Sequence, residues 1–107
     1  MVDIEGAFIR GFEKPLILWL LRDGPKTGYE IIIELTRLTG KSFNSSSVYP
    51  FLHWLDEQEL AFSKWVMRGG RKMRYYYLTN RGKELYINIQ AFFQGSLKKM
   101  FEHFIQT

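Results

Sequence analysis

Three stretches of the chain repeat apolar residues at helical spacing before the pattern changes. In the first, Phe8, Phe12, Leu16, Trp19 and Leu20 recur on one face, which predicts a helix over Phe8–Leu21. Arg22-Asp23-Gly24-Pro25 ends it, because glycine relaxes the backbone and proline cannot continue the hydrogen-bond ladder. A second helix is predicted from Thr27 or Gly28 to Leu38. Tyr29, Ile32, Ile33 and Leu35 form its expected buried stripe, with Glu30, Glu34 and Arg37 facing water. Gly40 is its stop signal. Asn44, Ser45, Ser46 and Ser47 then offer N-caps for a third helix that reaches about Gln58. Val48, Leu52 and Leu55 form its inner face, and Pro50 falls early enough that its missing N–H costs little.

From Ala61 the period shortens to two. Ala61–Met67 reads as a strand and Met73–Leu78 as its partner, joined by the tip Arg68-Gly69-Gly70-Arg71-Lys72. Thr79 then caps a last helix that continues to about Ile105, roughly 26 residues and about 39 Å long. The order is three helices, a hairpin and a helix, an α+β, mostly α class: a winged helix-turn-helix with a two-stranded wing and a long C-terminal dimerisation helix. In such an arrangement the third helix enters the major groove of DNA and the wing tip follows the backbone. The 107 residues suit a single domain, with a core over about 12–79 and the dimerisation helix over about 80–105. No repeat, low-complexity tract or linker interrupts it.

Charge sharpens this picture more than bulk composition does. The net charge is +4, yet the excess is local: Ala61–Lys83 holds seven basic residues and no acid, while the other eight share the chain with all eleven acids. An anionic partner fits that distribution. Nine Phe, six Tyr and three Trp in so short a chain point to a tight core or a sticky interface. Cysteine is absent, so neither a disulfide nor a thiolate metal site is expected, which fits a reducing cytoplasm. The apolar run Pro15–Leu21 is too short to span a bilayer, and no small-residue cleavage pattern follows it, so neither a membrane partner nor a signal peptide is expected.

Several blocks resemble a known family. Gly28-Tyr29-Glu30, Ser47-Val48-Tyr49-Pro50-Phe51-Leu52-His53, and Gly69-Gly70-Arg71 leading to Tyr75-Tyr76 and Leu78-Thr79 are similar to the PadR family of transcriptional regulators. The likeness spans about Leu16 to Leu85. It implies a winged helix-turn-helix that dimerises through its last helix, often represses its targets and in many members responds to small molecules. Ending on one long helix, the chain resembles the short members that lack a separate C-terminal domain. It departs from the family at Trp54, where a basic residue is usual, and at Glu59, where glycine is usual.

Two surfaces are candidates for DNA contact. On the third helix, Ser45, Ser46, Ser47, Tyr49, Pro50 and His53 lie at the start or opposite the inner face, where hydroxyls and imidazole can bond phosphates or base edges. Tyr49 could equally pack on a neighbouring helix. No Arg or Asn projects from the middle of this helix, so modest base discrimination is expected. On the wing, Arg68, Gly69, Gly70, Arg71, Lys72 and Arg74 combine a close-approach turn with cations. A merely solvated surface would mix signs, and this one does not.

A third surface is apolar. Leu85, Ile89, Phe92, Phe93, Leu97, Met100, Phe101 and Phe104, with Phe8 and Phe12, form a stripe longer than so small a domain can cover, which predicts a second copy of the chain as partner. A pocket for a small aromatic effector lined by these rings is the other reading. No catalytic constellation, cofactor motif or metal motif is present: His53 and His103 stand alone, and Gly69-Gly70 lacks the strand–loop–helix setting of a phosphate loop. The chain reads as a regulator and not an enzyme. A winged-helix architectural or protein-interaction module without an operator, and a ligand-gated sensor, are the alternatives.

Overall fold

The computed structural model describes residues 2–107. Its elements are α1 (Ile4–Arg10), α2 (Glu13–Leu21), α3 (Gly28–Thr39), α4 (Ser45–Glu57), β1 (Ala61–Arg68), β2 (Arg71–Leu78), α5 (Asn80–Phe92), a π-helical segment Phe93–Leu97, and α6 (Lys98–Gln106).

The helix expected over Phe8–Leu21 is two helices. Pro15 cannot donate to the Gly11 carbonyl and its ring crowds that carbonyl, so the chain breaks at Gly11-Phe12, where the Phe12 amide turns back to Ile9 at 3.0 Å. The buried residues of α2 are Ile17, Leu18, Leu20 and Leu21; of the predicted stripe Leu20 is buried, Leu16 and Trp19 pack partly buried against the core, and Phe8 is exposed. In α3 Ile31 and Leu35 are buried and Ile32 packs against the core; of the expected stripe, Tyr29 and Ile33 are instead exposed. Three consecutive isoleucines satisfy either face, so periodicity could not choose. The start of α3 is fixed by a capping box: the Glu30 amide donates to the Thr27 hydroxyl at 3.1 Å, and the Thr27 amide to the Glu30 carboxylate at 2.9 Å. Gly40, at φ 71°, closes it in the left-handed conformation.

The inner face of α4 is Val48, Leu52 and Leu55 as expected, joined by Phe51. Pro50 is the sixth helical residue, beyond the free first turn, so it removes the i+4 donor of the Ser46 carbonyl. The helix ends in a Schellman motif. The Leu60 amide donates to the Leu55 carbonyl at 2.8 Å and the Glu59 amide to the Asp56 carbonyl at 3.0 Å, with Glu59 held at φ 59°.

β1 and β2 pair antiparallel, from Ala61 opposite Leu78 to Arg68 opposite Arg71. The strands reach closer to the tip than predicted, leaving only Gly69 and Gly70 as the turn. Both have positive φ (57° and 76°), which is the type I′ geometry that matches strand twist. Lys26 adds a bridge to the edge: its amide and carbonyl both bond to Tyr76. Ala61, Tyr76 and Leu78 close the core over α2, α3 and α4. The arrangement is a winged helix-turn-helix.

Thr79 caps α5, its hydroxyl accepting from the Gly82 amide at 3.1 Å. The C-terminal helix is long, as expected, but it is not a straight rod. It kinks at Gly95 (φ −100°, ψ −105°), where a Gly-Ser pair and a π-type turn interrupt the ladder. The kink turns α6 onto α1.

Candidate nucleic-acid interface

The second helix of the helix-turn-helix pair is α4, and its outward side carries Ser45, Ser46, Tyr49, Pro50 and His53, all exposed. Ser47 is engaged locally: its hydroxyl lies 2.9 Å from the Glu13 carboxylate and 3.1 Å from the Asn44 carbonyl. Tyr49 packs and faces outward at once. Its ring lies so close to Gly28 that a Cβ there would come within 2.4 Å of Cε1, so the glycine at the start of α3 is what seats the ring. Trp54 stacks on Phe51 at 5.9 Å, filling the place where a basic residue was expected.

Alternation divides the wing into two faces. Phe62, Lys64, Val66 and Arg68 share the outer face with Arg71, Met73, Tyr75 and Tyr77. There Phe62 and Tyr77 stack at 4.9 Å under the Lys64 ammonium, and the Arg68 guanidinium lies over Tyr75 at 5.4 Å. The inner face carries Trp65 opposite Arg74 and Met67 opposite Lys72. Arg71 and Lys72 are exposed beside the Gly69-Gly70 turn, and among the described residues neither forms an ion pair.

Arg74 departs from the other wing cations. Its Nε donates to the Ser63 hydroxyl at 2.9 Å and an Nη2 hydrogen to Asp56 at 3.2 Å. Its guanidinium also lies between the rings of Trp65 and Tyr76, at 5.8 and 5.2 Å. It therefore ties the wing to the end of α4 rather than standing free. Burial pushes the Tyr76 phenol above its ordinary pKa.

Between α4 and the wing lies a cleft of about 320 Å³. Thr27, Gly28 and Tyr29 from the start of α3, Tyr49 and His53 from α4, and Trp65, Met73, Arg74 and Tyr76 from the wing line it. Of the residues predicted for DNA contact, Tyr49, His53 and Arg74 thus meet in the cleft, while Ser45, Ser46, Ser47, Pro50 and the wing-tip residues Arg68, Gly69, Gly70, Arg71 and Lys72 lie outside it. Tyr29 and Trp65 were missed by sequence reasoning. Trp65 was findable: strand alternation from the buried Ala61 puts residues 63, 65 and 67 on the same side.

The apolar stripe divides. Leu85 and Ile89 pack in part against the protomer's own core and Leu97 is buried within the chain. Phe12 meets Phe93 at 5.6 Å and Phe101 at 6.4 Å, an aromatic cluster within one chain. Phe8, Phe92, Met100 and Phe104 remain exposed, with Phe104 at 79%. A second cavity, of about 420 Å³ and almost wholly apolar, lies between α1–α2 and α5–α6, lined by Phe12, Leu16, Trp19, Tyr86, Ile89 and Phe93 among others. Among the described residues no group of His, Asp or Glu is placed to hold a metal, and no helix is long and apolar enough to cross a membrane.

The comparisons with known proteins agree with this geometry. No curated protein matches the chain. Among solved structures, a PadR family transcriptional regulator from Eggerthella lenta is 26% identical, with a TM-score of 0.79 over 94% of this chain and 88% of its own. A PadR-like regulator from Bacillus cereus superposes with a TM-score of 0.81 at 20% identity, covering 94% of this chain and 98% of its own, and shows the fold alone. Bacillus subtilis PadR, solved in complex with operator DNA, is 29% identical with a TM-score of 0.66, over 72% of this chain and 45% of its own. Residues 17–87 match the sequence family described as the transcriptional regulator PadR-like family. By this match across most of its length the chain belongs to the PadR-like family of transcriptional regulators, which are not enzymes.

Proposed function

We propose that the chain is a repressor that binds double-stranded DNA as a homodimer, placing α4 in the major groove and the Gly69-Gly70 wing tip against the adjacent backbone. The observation that carries this reading is that Tyr49 and His53 of the α4 outer face share a cleft with Trp65 and Arg74 of the wing, whose stretch from Ala61 to Lys83 has no acid. The operator complex of the Bacillus subtilis relative supports the same partner class. Ser45, Ser46, Tyr49, Pro50 and His53 approach base edges and phosphates, and Arg68, Arg71 and Lys72 neutralise phosphates. With no Arg or Asn in mid-helix, most of the affinity comes from the backbone.

A second protomer is favoured by the exposed groove that Phe8, Met100, Phe104 and Ile105 form along α6. Two-fold symmetry would set the two reading helices about 34 Å apart, one turn of duplex. Arg71→Glu is expected to weaken binding on every sequence and to flatten the salt dependence by more than one phosphate contact. Unchanged affinity and slope in that variant would overturn the wing assignment.

One observation favours an added sensor role: the apolar cavity between α1–α2 and α5–α6, large enough for a planar aromatic effector. Its lining includes Phe12, Ile89, Phe93 and Phe101 of the apolar stripe. Thermal shift with such compounds tests it, and a flat response across the series would remove it.

A further inference from the structure

A reading helix in the major groove and a wing tip against the adjacent backbone leave a single sugar–phosphate strand running past the cleft between them. Whatever surface bridges the two must fit a chain that alternates anionic phosphate with apolar deoxyribose. The inner face of the wing has that alternation. Trp65 stands directly opposite Arg74, and Met67 directly opposite Lys72. The two pairs are two residues apart on one face, about 6.6 Å, which is of the order of the spacing between adjacent phosphates of one strand.

Exposure separates these residues from ordinary wing packing. Trp65 is 60% exposed and Met67 63%, although the same face of β1 is buried at Ala61. Tyr29, 64% exposed, stands across the cleft from Trp65. Arg74 is fixed in place by Ser63 and Asp56, which together use two of its five N–H donors and leave the Nη1 edge without a hydrogen-bond partner among the described residues. A guanidinium already held in one geometry loses less freedom on meeting a phosphate than a free one does.

We propose that this cleft, continued along the wing by Met67, is a seat for one sugar–phosphate strand of the duplex, in which Trp65 covers deoxyribose and the Nη1 edge of Arg74 holds a phosphate. The seat rests on the DNA-binding reading above and adds to it a contact that is indifferent to sequence. It is carried by apolar side chains and not by the wing-tip cations. Charge selects the occupant: Arg74 lines the cleft, its one close acid Asp56 is already engaged by it, and the wing beyond carries Lys72 on the same face and no acid, which suits a polyanion.

The test is anisotropy titration of the full chain with labelled duplexes over a series of salt concentrations. Trp65→Ala is expected to lower affinity about five- to tenfold, by the same factor on selected and random sequences, with the salt slope unchanged. Arg74→Gln is expected to lower the slope by about one phosphate contact, and circular dichroism at the assay temperature checks that each variant is folded. If Trp65→Ala binds like the parent while Arg71→Glu binds weakly, the seat is wrong and the DNA-binding reading stands. If neither variant differs from the parent, both fall. A loss confined to certain sequences would make Trp65 a base reader and overturn the backbone assignment.

Discussion

Glu59→Gly should make the protein more stable. Glu59 occupies the left-handed position that closes the Schellman motif after α4, at φ 59°. An L-residue pays about 1–2 kcal/mol there, because its Cβ approaches the following carbonyl. Glycine removes that strain but gives the unfolded chain more freedom, which offsets about 0.5–1 kcal/mol. The Glu59 side chain has little to lose. Its carboxylate is 4.0 Å from Arg81, both groups are well exposed, and such pairs contribute little. The bond from the Thr79 hydroxyl goes to the Glu59 backbone carbonyl and survives the change. The net expectation is a gain of about 0.5–1 kcal/mol, seen as a rise in Tm of about 2–8 °C. Calorimetry or thermal circular dichroism reads it, with parent and variant at equal protomer concentration so that self-association does not enter. Glu59→Ala is the control: it keeps the strain and should bring no such gain. A lower Tm for the glycine variant, or an equal rise for the alanine variant, would refute the reasoning.

Leu52 is fully buried at the centre of α4, and Leu52→Ala should cost about 2–5 kcal/mol in denaturant unfolding; a cost below about 1 kcal/mol would contradict its placement. Asp3 caps α1, and its carboxyl is held below the ordinary carboxylate range chiefly by the Gly6 amide, with the Lys41 ammonium adding to this. A carboxyl with a depressed folded pKa contributes stability above its ordinary pKa that is lost as pH falls through the depressed value. Asp3→Ala should therefore make the acid limb of the stability–pH curve shallower, and an unchanged acid limb would count against the cap.

Residues with only one plausible environment were legible in the sequence. Gly69-Gly70 between alternating strands could hardly be other than a tight hairpin turn, whereas the Thr27–Glu30 capping box escapes a sequence reading in which Glu30 figures only as a water-facing residue. Val48, Leu52 and Leu55 had no competing face. Where the pattern was degenerate, reading failed. Ile31-Ile32-Ile33 fits either side of α3, and the choice is made in three dimensions, where Ile31 and Leu35 join the core. Pro15 and Gly95 each announced a break that strong flanking periodicity concealed, because apolar spacing continues across a kink even when hydrogen bonds do not. Leu85 and Ile89 pack in part on the protomer's own core, a contact that sequence alone does not distinguish from one with a partner. In the site, the basic wing was visible as a charge pattern, but the Asp56–Ser63–Arg74 network was not. It joins residues 18 apart in sequence that only the hairpin register brings together.

The central claim is that two copies of this chain present α4 and the wing together to a duplex. Binding sites selected from random duplexes, followed by sedimentation of the resulting complex, address it most directly. The account predicts an enriched inverted repeat with half-site centres about 10 base pairs apart, occupied by two protomers. A single protomer on the duplex, or no retention of duplex even at low ionic strength, would contradict it.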